Sequence, residues 1–460
     1  MPSTDDVQSA VADEVVGLLR RLIACDTSNP PGDEAQAAAI LEEHLRDTGL
    51  ECQRIAQDPN RPNLLVTLPG AGTGPTLGFL GHLDVVVSRR EDWSVEPYGG
   101  IERDGVIWGR GAVDMKCQVA ATAVALATLA REGFRPAGDI MLILMADEEL
   151  GDSGVGSPFF VEELQDLRLD YVIGEGSGER YDTAQGPVYL LDRGVKASAS
   201  ATLTAQGRAG DASLHDAGQS AVFELAELLL RLRDYEPPVR IHPALRDVLQ
   251  TLGGDDAPDD ETRLRRSGES HPQLGRILRA LTRSVLRPTT IEVPGPQNAV
   301  GDRAKVTIQA VLVPGTTADE LEAELREALG DGDYELEVVP PVGGRVSPAD
   351  SPLHDAIASF LAEHDPEARL LPCLGYGYSD CDVMRESYNA TAYGFIPFRH
   401  GDPSVNLDTK HGTDERIRVD DLVFQTRAAL HVARAIGSLD RAADGSAGVS
   451  SSATGAGRGT

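Results

Sequence analysis

The sequence is short of the features that would place it in a membrane, on nucleic acid or in an oxidising compartment. Its five cysteines (Cys25, Cys52, Cys117, Cys373 and Cys381) are odd in number and scattered, with no C-x-x-C pair. That excludes a disulfide framework and leads to the expectation of a reducing cytoplasm. No uninterrupted apolar run approaches the roughly 20 residues of a membrane span. Met1 to Asp6 bring neither a basic stretch nor an apolar one, so no export signal is expected. Basic residues are scarce: 42 Lys+Arg against 73 Asp+Glu leave a formal charge of −31. Such a balance disfavours nucleic acid and anionic membranes as partners and keeps the protein in solution. No repeats are found.

The chain does contain apolar strands that stop abruptly at polar residues. Helical periodicity covers 8–24 and 34–48, the second entered through the Asn29-Pro30-Pro31-Gly32 turn. Thr76–Leu80 is a short apolar run ending at Gly81-His82. An Ala-rich helix over 117–131 precedes a second run, Asp139–Met145, which ends at Ala146-Asp147-Glu148-Glu149. A third, Tyr171–Ile173, ends at Gly174-Glu175. Apolar runs alternating with helices predict an α/β fold, a mixed and largely parallel sheet flanked by helices. The carboxyl ends of parallel strands are where such sheets hold ligands.

The texture changes after Asp192-Arg193-Gly194. Lys196–Gln206 alternates small and polar residues as a half-exposed strand does. A helix follows at about 219–233, then a charged, weakly periodic stretch over 253–275 that reads as loop with a helix after it. Strands are expected at 289–293, 305–312 and 334–339, with a helix at 317–329. The order β-α-β-β-α-β defines an inserted lid domain over 195–342. It divides a catalytic domain into 1–194 and 343–440, and residues 441–460, rich in Ser, Gly, Ala and Thr, are expected to be disordered.

Several segments carry candidate chemistry. In Gly81-His82-Leu83-Asp84, His82 is a candidate metal ligand and Asp84 the carboxylate that orients it. Alone, that segment fits a solvent-facing imidazole equally well. Asp114, after two glycines in Gly109-Arg110-Gly111, is a candidate ligand that, taken alone, reads more readily as a helix N-cap. Asp147-Glu148-Glu149 is more telling, because three carboxylates directly after a buried strand are costly unless a cation sits there. Glu175 stands between glycines, and His411 in a polar loop. His82, Asp114, Glu149, Glu175 and His411 supply two imidazoles and three carboxylates, a mixed set that suits zinc, with cobalt or manganese as substitutes. One bridging carboxylate would leave each of two ions one His and one terminal carboxylate. Glu148 is then free to act as general base, and two ions about 3.5–4 Å apart hold a hydroxide and polarise a carbonyl.

In GHLDVV (81–86), GRGAVDMK (109–116), ADEELG (146–151), IGEGSG (173–178) and KHGTDERI (410–417), in that order, the chain resembles a family of co-catalytic zinc hydrolases. The family includes aminoacylase-1, carboxypeptidase G, acetylornithine deacetylase and succinyl-diaminopimelate desuccinylase, and the resemblance runs from about 10 to 437. It implies a zinc-exopeptidase-like catalytic domain cleaving an amide-type bond in a small molecule or short peptide. It also implies His82 and Glu175 on one metal, Glu149 and His411 on the other, Asp114 bridging, Asp84 behind His82, Glu148 as the base, and a homodimer formed through the lid.

Departures from the family are informative. Where its members usually read G-R-A-G-H-A-S in the lid, with a His that helps hold the oxyanion, this chain has Gly207-Arg208-Ala209-Gly210-Asp211-Ala212-Ser213. His215 follows four residues on, and the usual Asn-Ala reads Ser220-Ala221. Asn298 matches, but positions where relatives carry Arg hold Val311 and Asp382, and neither can make the bidentate pair Arg makes with a carboxylate. Asp211, Asn298 and Asp382 are therefore the candidate substrate-binding residues, and the expected substrate bears an amine rather than a free α-carboxylate. Two other readings stay open. The same metal scaffold can serve a non-hydrolytic step (elimination, cyclisation or acyl transfer), or a binding protein without catalysis, although the second has no use for Glu148.

Overall fold

The computed structural model describes residues 4–151 and 153–440. The expected disordered tail, 441–460, lies outside the described residues.

The main sheet has nine strands. Four of them, Ile140–Met145, Leu77–His82, Tyr171–Gly174 and Thr391–Gly394, lie side by side and parallel. Asn63–Leu68 and Glu51–Ile55 extend one edge antiparallel, and Gly186–Val195, Arg180–Thr183 and Arg369–Gly375 build the other. Alternation along the strands shows why the apolar runs are unbroken. Ile140, Leu142 and Leu144 face a core shared with the helices Lys116–Arg131, Pro352–His364 and Val419–Gly437, while Met141, Ile143 and Met145 face the opposite side with Phe160 and Met384. A sheet covered on both faces needs apolar residues at every position.

A second, four-stranded antiparallel sheet runs Val285–Glu292, Arg303–Leu312, Ala197–Gln206, Tyr334–Val342. Helices Ala221–Asp234 and Ala318–Leu329 cover one face, against Ala199, Leu203, Val306 and Ile308. Its position in the sequence falls between the two stretches that build the main sheet. The other face is open, which accounts for its weak, alternating apolar signal.

The stretch expected as loop over 253–275 is different. It holds the helix Asp260–Glu269, between Arg246–Gly253 before it and the expected following helix, Pro272–Leu281. These pack not on the four-stranded sheet but on the edge of the main one, with Leu249, Leu274, Ile277, Leu278 and Leu281 against Val188, Leu190 and Leu371. The middle helix buries little beyond Ser267, so its sequence lacks an apolar stripe, although its Asp259 cap accepts from the Thr262 N–H at 2.7 Å. No helix among the described residues is long and apolar enough to cross a membrane.

Candidate metal centre

Three parallel strands end side by side, and their ends carry three of the five candidate ligands, His82, Glu149 and Glu175. His82 closes Leu77–His82. Its Nδ1 lies 2.9 Å from the Asp84 carbonyl oxygen, which can only accept, so Nδ1 carries a proton and Nε2 is the nitrogen turned towards the other ligands. Nε2 lies 3.2 Å from Asp114 Oδ1 and 3.9 Å from Glu175 Oε2. On the other side, His411 Nε2 lies 2.9 Å from Asp114 Oδ2 and 3.0 Å from Glu149 Oε2. Two ligand groups result, His82–Asp114–Glu175 and Asp114–Glu149–His411, with the donor atoms of each within 4.8 Å of one another. Asp114 belongs to both.

Each ligand is held from behind. Asp84, fully buried, accepts from the backbone N–H groups of Glu148 and Glu149, each at 3.1 Å, and from Asn29 Nδ2 at 2.9 Å. Its carboxylate is 3.5 Å from His82 Nδ1, so its main task is to fix the turn carrying Glu148 and Glu149. Asp147, in the left-handed region at φ 58°, points away from the cluster. It accepts from Asn29 at 2.8 Å and pairs with Arg61 at 3.3 Å. Such a backbone conformation is rare for a residue with a Cβ and persists where its surroundings enforce it. Glu415 fixes the loop before Asp114, accepting from the N–H groups of Gly111, Val113 and Asp114 at 2.9, 2.6 and 2.8 Å. It also pairs with buried Arg110 at 2.6 Å. The Glu175 loop is tied down by Asp192, which accepts from the N–H and hydroxyl of Ser177, both at 2.8 Å. Gly176 is needed there, since a Cβ would stand 2.5 Å from Gly394 Cα.

The electrostatics are those of a site built for positive charge. Burial and neighbouring Glu175 push the Glu148 carboxyl well above the ordinary range, and burial and Asp114 raise Glu175. Asp114 goes the other way: Lys410, His411 and His82 outweigh its burial and hold it well below the usual carboxylate range. The donor set fits divalent cations on a structural observation: Glu149 Oε1 is buried without a hydrogen-bond partner, and such an atom is costly unless it meets a donor or an ion.

Residues with no expected role also reach the cluster. Lys410 Nζ contacts Glu175 Oε1 and lies 3.4 Å from Asp114 Oδ2; its place beside His411 is the only sequence signal for it. Asp380 is buried with Oδ2 unpartnered and accepts from the Tyr378 hydroxyl at 3.1 Å. A cavity of about 70 Å³ beside Glu175 is lined by Glu179, Tyr181, Asp192, Tyr376 and Lys410.

Three expected residues are not in the cluster. Asp211 is exposed, its carboxylate accepting from the N–H and hydroxyl of Ser213 at 2.9 and 2.7 Å. Asn298 is exposed beside it, its carbonyl accepting from the Ala212 N–H at 3.2 Å. Asp382 is buried and accepts from the Gly344 N–H at 2.9 Å and from Arg385 at 3.4 Å. It fastens the chain returning from the second sheet.

The family model for Peptidase family M20/M25/M40 matches residues 78–435. A succinyl-diaminopimelate desuccinylase from Cereibacter sphaeroides is 32% identical over 228 residues, 48% of this chain and 57% of that protein. Another with that name, from Paracoccus denitrificans, is 27% identical over 414 residues, 88% of this chain and 94% of its own length. Among solved structures, an M20 family metallo-carboxypeptidase from Sulfolobus solfataricus superposes with a TM-score of 0.67 at 17% identity, over 93% of this chain and 100% of that one. At that identity the likeness is one of fold.

Replacing Glu415 by Ala should cost about 3–5 kcal/mol of stability, the penalty for leaving buried Arg110 unpaired, and should loosen the Asp114 loop. Denaturant melts read the first effect and metal content by elemental analysis the second. Wild-type values for both would contradict the role given to Glu415.

Proposed function

Because the chain belongs to Peptidase family M20/M25/M40, we propose that it is a two-metal amidohydrolase or peptidase acting on a small substrate. The observation that carries this is the pair of ligand groups meeting at Asp114, with Glu148 beside them and outside both. His82 and Glu175 would hold one ion, Glu149 and His411 the other, and Asp114 both, with zinc as the first expectation. When bound, such a pair of ions acidifies a water and draws charge from a carbonyl oxygen. Glu148, its Oε2 3.9 Å from His82 Nε2, accepts the proton of the attacking water and returns it to the leaving nitrogen. Burial favours that protonated state between the two transfers. Asp84, through the two N–H groups it accepts, keeps Glu148 and Glu149 on the same rigid turn.

For the substrate we infer an amine-bearing group. The cavity beside Glu175 presents Glu179, Asp192 and three tyrosines, and its one cation, Lys410, is engaged by Glu175 and Asp114. Val311 and Asp382 offer no guanidinium for a carboxylate. Asp211 lies on an exposed loop of the second sheet and touches none of the metal-ligand residues. Its part in recognition requires the lid to swing in, or the lid of a second copy to reach over. Helix Ala221–Asp234 exposes Phe223 and Leu230, in keeping with a homodimer through the lid. The unpaired state of all five cysteines is in keeping with a cytoplasmic protein.

Glu148→Gln keeps the shape and removes the proton acceptor. It should retain its metals and lose about 10²–10⁴ in turnover, measured with a dipeptide and N-acyl panel; wild-type turnover would assign the proton transfer to another group. Asp211→His should raise activity on N-acyl amino acids above a poor wild-type rate. A wild type already turning these over at about 1–10³ s⁻¹, and unaffected by the change, would make Asp211 a bystander.

A further inference from the structure

In a chain carrying a formal charge of −31, one cleft is lined by five arginines: Arg233, Arg276, Arg279, Arg283 and Arg287. Glu236 is the only acid in its wall. The cleft, of about 310 Å³, lies where the end of helix Ala221–Asp234, the helix Pro272–Leu281 and the start of strand Val285–Glu292 meet. It is remote in sequence and lining from the metal centre, sharing no wall residue with the cavity beside Glu175.

Local structure explains how the arginines converge. Arg276, Arg279 and Arg283 are spaced i, i+3, i+7 and so fall on one side of a helical path, opposite the stripe Leu274, Ile277, Leu278 and Leu281 that is buried on the main sheet. Strand Val285–Glu292 then turns back with Arg287 exposed, and Arg233 comes from the end of the facing helix.

Three of the five have partners on open surface: Arg276 with Asp408 at 2.7 Å, Arg279 with Glu236 at 3.2 Å, and Arg233 with Asp234 at 2.7 Å. Exposed pairs of this kind contribute about 0–1 kcal/mol and exchange readily for a better acceptor. Arg283 and Arg287 make no ion pair or side-chain hydrogen bond among the described residues, and Arg283 Nε is buried with no acceptor. Capping does not account for them. The carbonyls of Ala280 and Arg283, at the end of Pro272–Leu281, already accept from buried Lys196 Nζ at 2.7 Å each. Two helix C-termini contribute about −0.5 each, which leaves two unpaired guanidiniums with surplus positive charge.

We propose that this cleft binds a small molecule carrying two or more phosphate groups. Guanidinium forks match phosphate oxygens two at a time, five of them in one cleft offer more donors than a single carboxylate or a halide can accept from, and the volume is at the lower end of small-molecule sites. Bound there, the anion joins Arg233 and Arg287 of the four-stranded domain to Arg276, Arg279 and Arg283, whose helix rides on the main sheet. It therefore ties the two bodies together at their junction.

The test is calorimetric titration of inorganic pyrophosphate into the full-length, metal-loaded protein. Saturable binding at one site per chain is expected, with Kd below about 1 mM, and with orthophosphate and citrate at least tenfold weaker. Arg287→Gln, an exposed change that leaves folding alone, and the double variant Arg283→Gln/Arg287→Gln should each weaken pyrophosphate binding at least tenfold. Arg265→Gln, at an exposed ion pair with Glu269 elsewhere on the surface, should bind as wild type does. Absence of saturation overturns the proposal. So does undiminished binding in the double variant, which would place the anion at the metal centre, and so does equal binding of citrate or equal weakening by Arg265→Gln.

Discussion

Asp114 is the point on which the arrangement of this molecule turns. Its two carboxylate oxygens face two different histidines, His82 at 3.2 Å and His411 at 2.9 Å, and those histidines come from opposite ends of the chain. A shared carboxylate at 3% exposure, with Glu148, Glu149 and Glu175 around it, makes a concentration of negative charge that a protein interior does not tolerate without cations. The surroundings are correspondingly rigid. Glu415 grips the amides of Gly111, Val113 and Asp114, Asp84 grips the amides of Glu148 and Glu149, and Asp192 grips the Glu175 loop. Buried carboxylates accepting backbone N–H groups are thus used repeatedly to hold other carboxylates in place.

The same device connects the site to the fold. The parallel strands deliver His82, the Glu148–Glu149 turn and Glu175 to one edge because their apolar cores are in register. Leu80 pairs with Ile143, His82 with Met145, and Phe79 with Ile173. The C-terminal stretch closes the site through Gly109 N–H to Glu415 carbonyl at 2.9 Å and the strand Arg416–Arg418 against Val106–Trp108. His411 reaches Asp114 because this pairing fixes where its loop ends.

Much of this was legible in the sequence, for a physical reason. A buried strand must be apolar, so a His or a carboxylate at its end stands out, and His82, Glu149 and Glu175 were visible in that way. Their supports were not. Asn29, Arg61 and Glu415 act across 55 to 305 positions of sequence, and nothing local marks them. Helices Arg246–Gly253 and Asp260–Glu269 escaped because the second is mostly solvated and lacks a stripe to read. Asp382 shows the limit of reading by motif: its offset from the glycine-rich loop gives the residue type, but not that its carboxylate turns to Gly344.

The central claim is that two ions share Asp114. Elemental analysis of the purified protein alongside Asp114→Ala addresses it directly, with circular dichroism to show that the variant is folded. Two divalent ions per wild-type chain and less than one in the folded variant are the result expected of a bridging ligand. A folded Asp114→Ala that keeps both ions would contradict it.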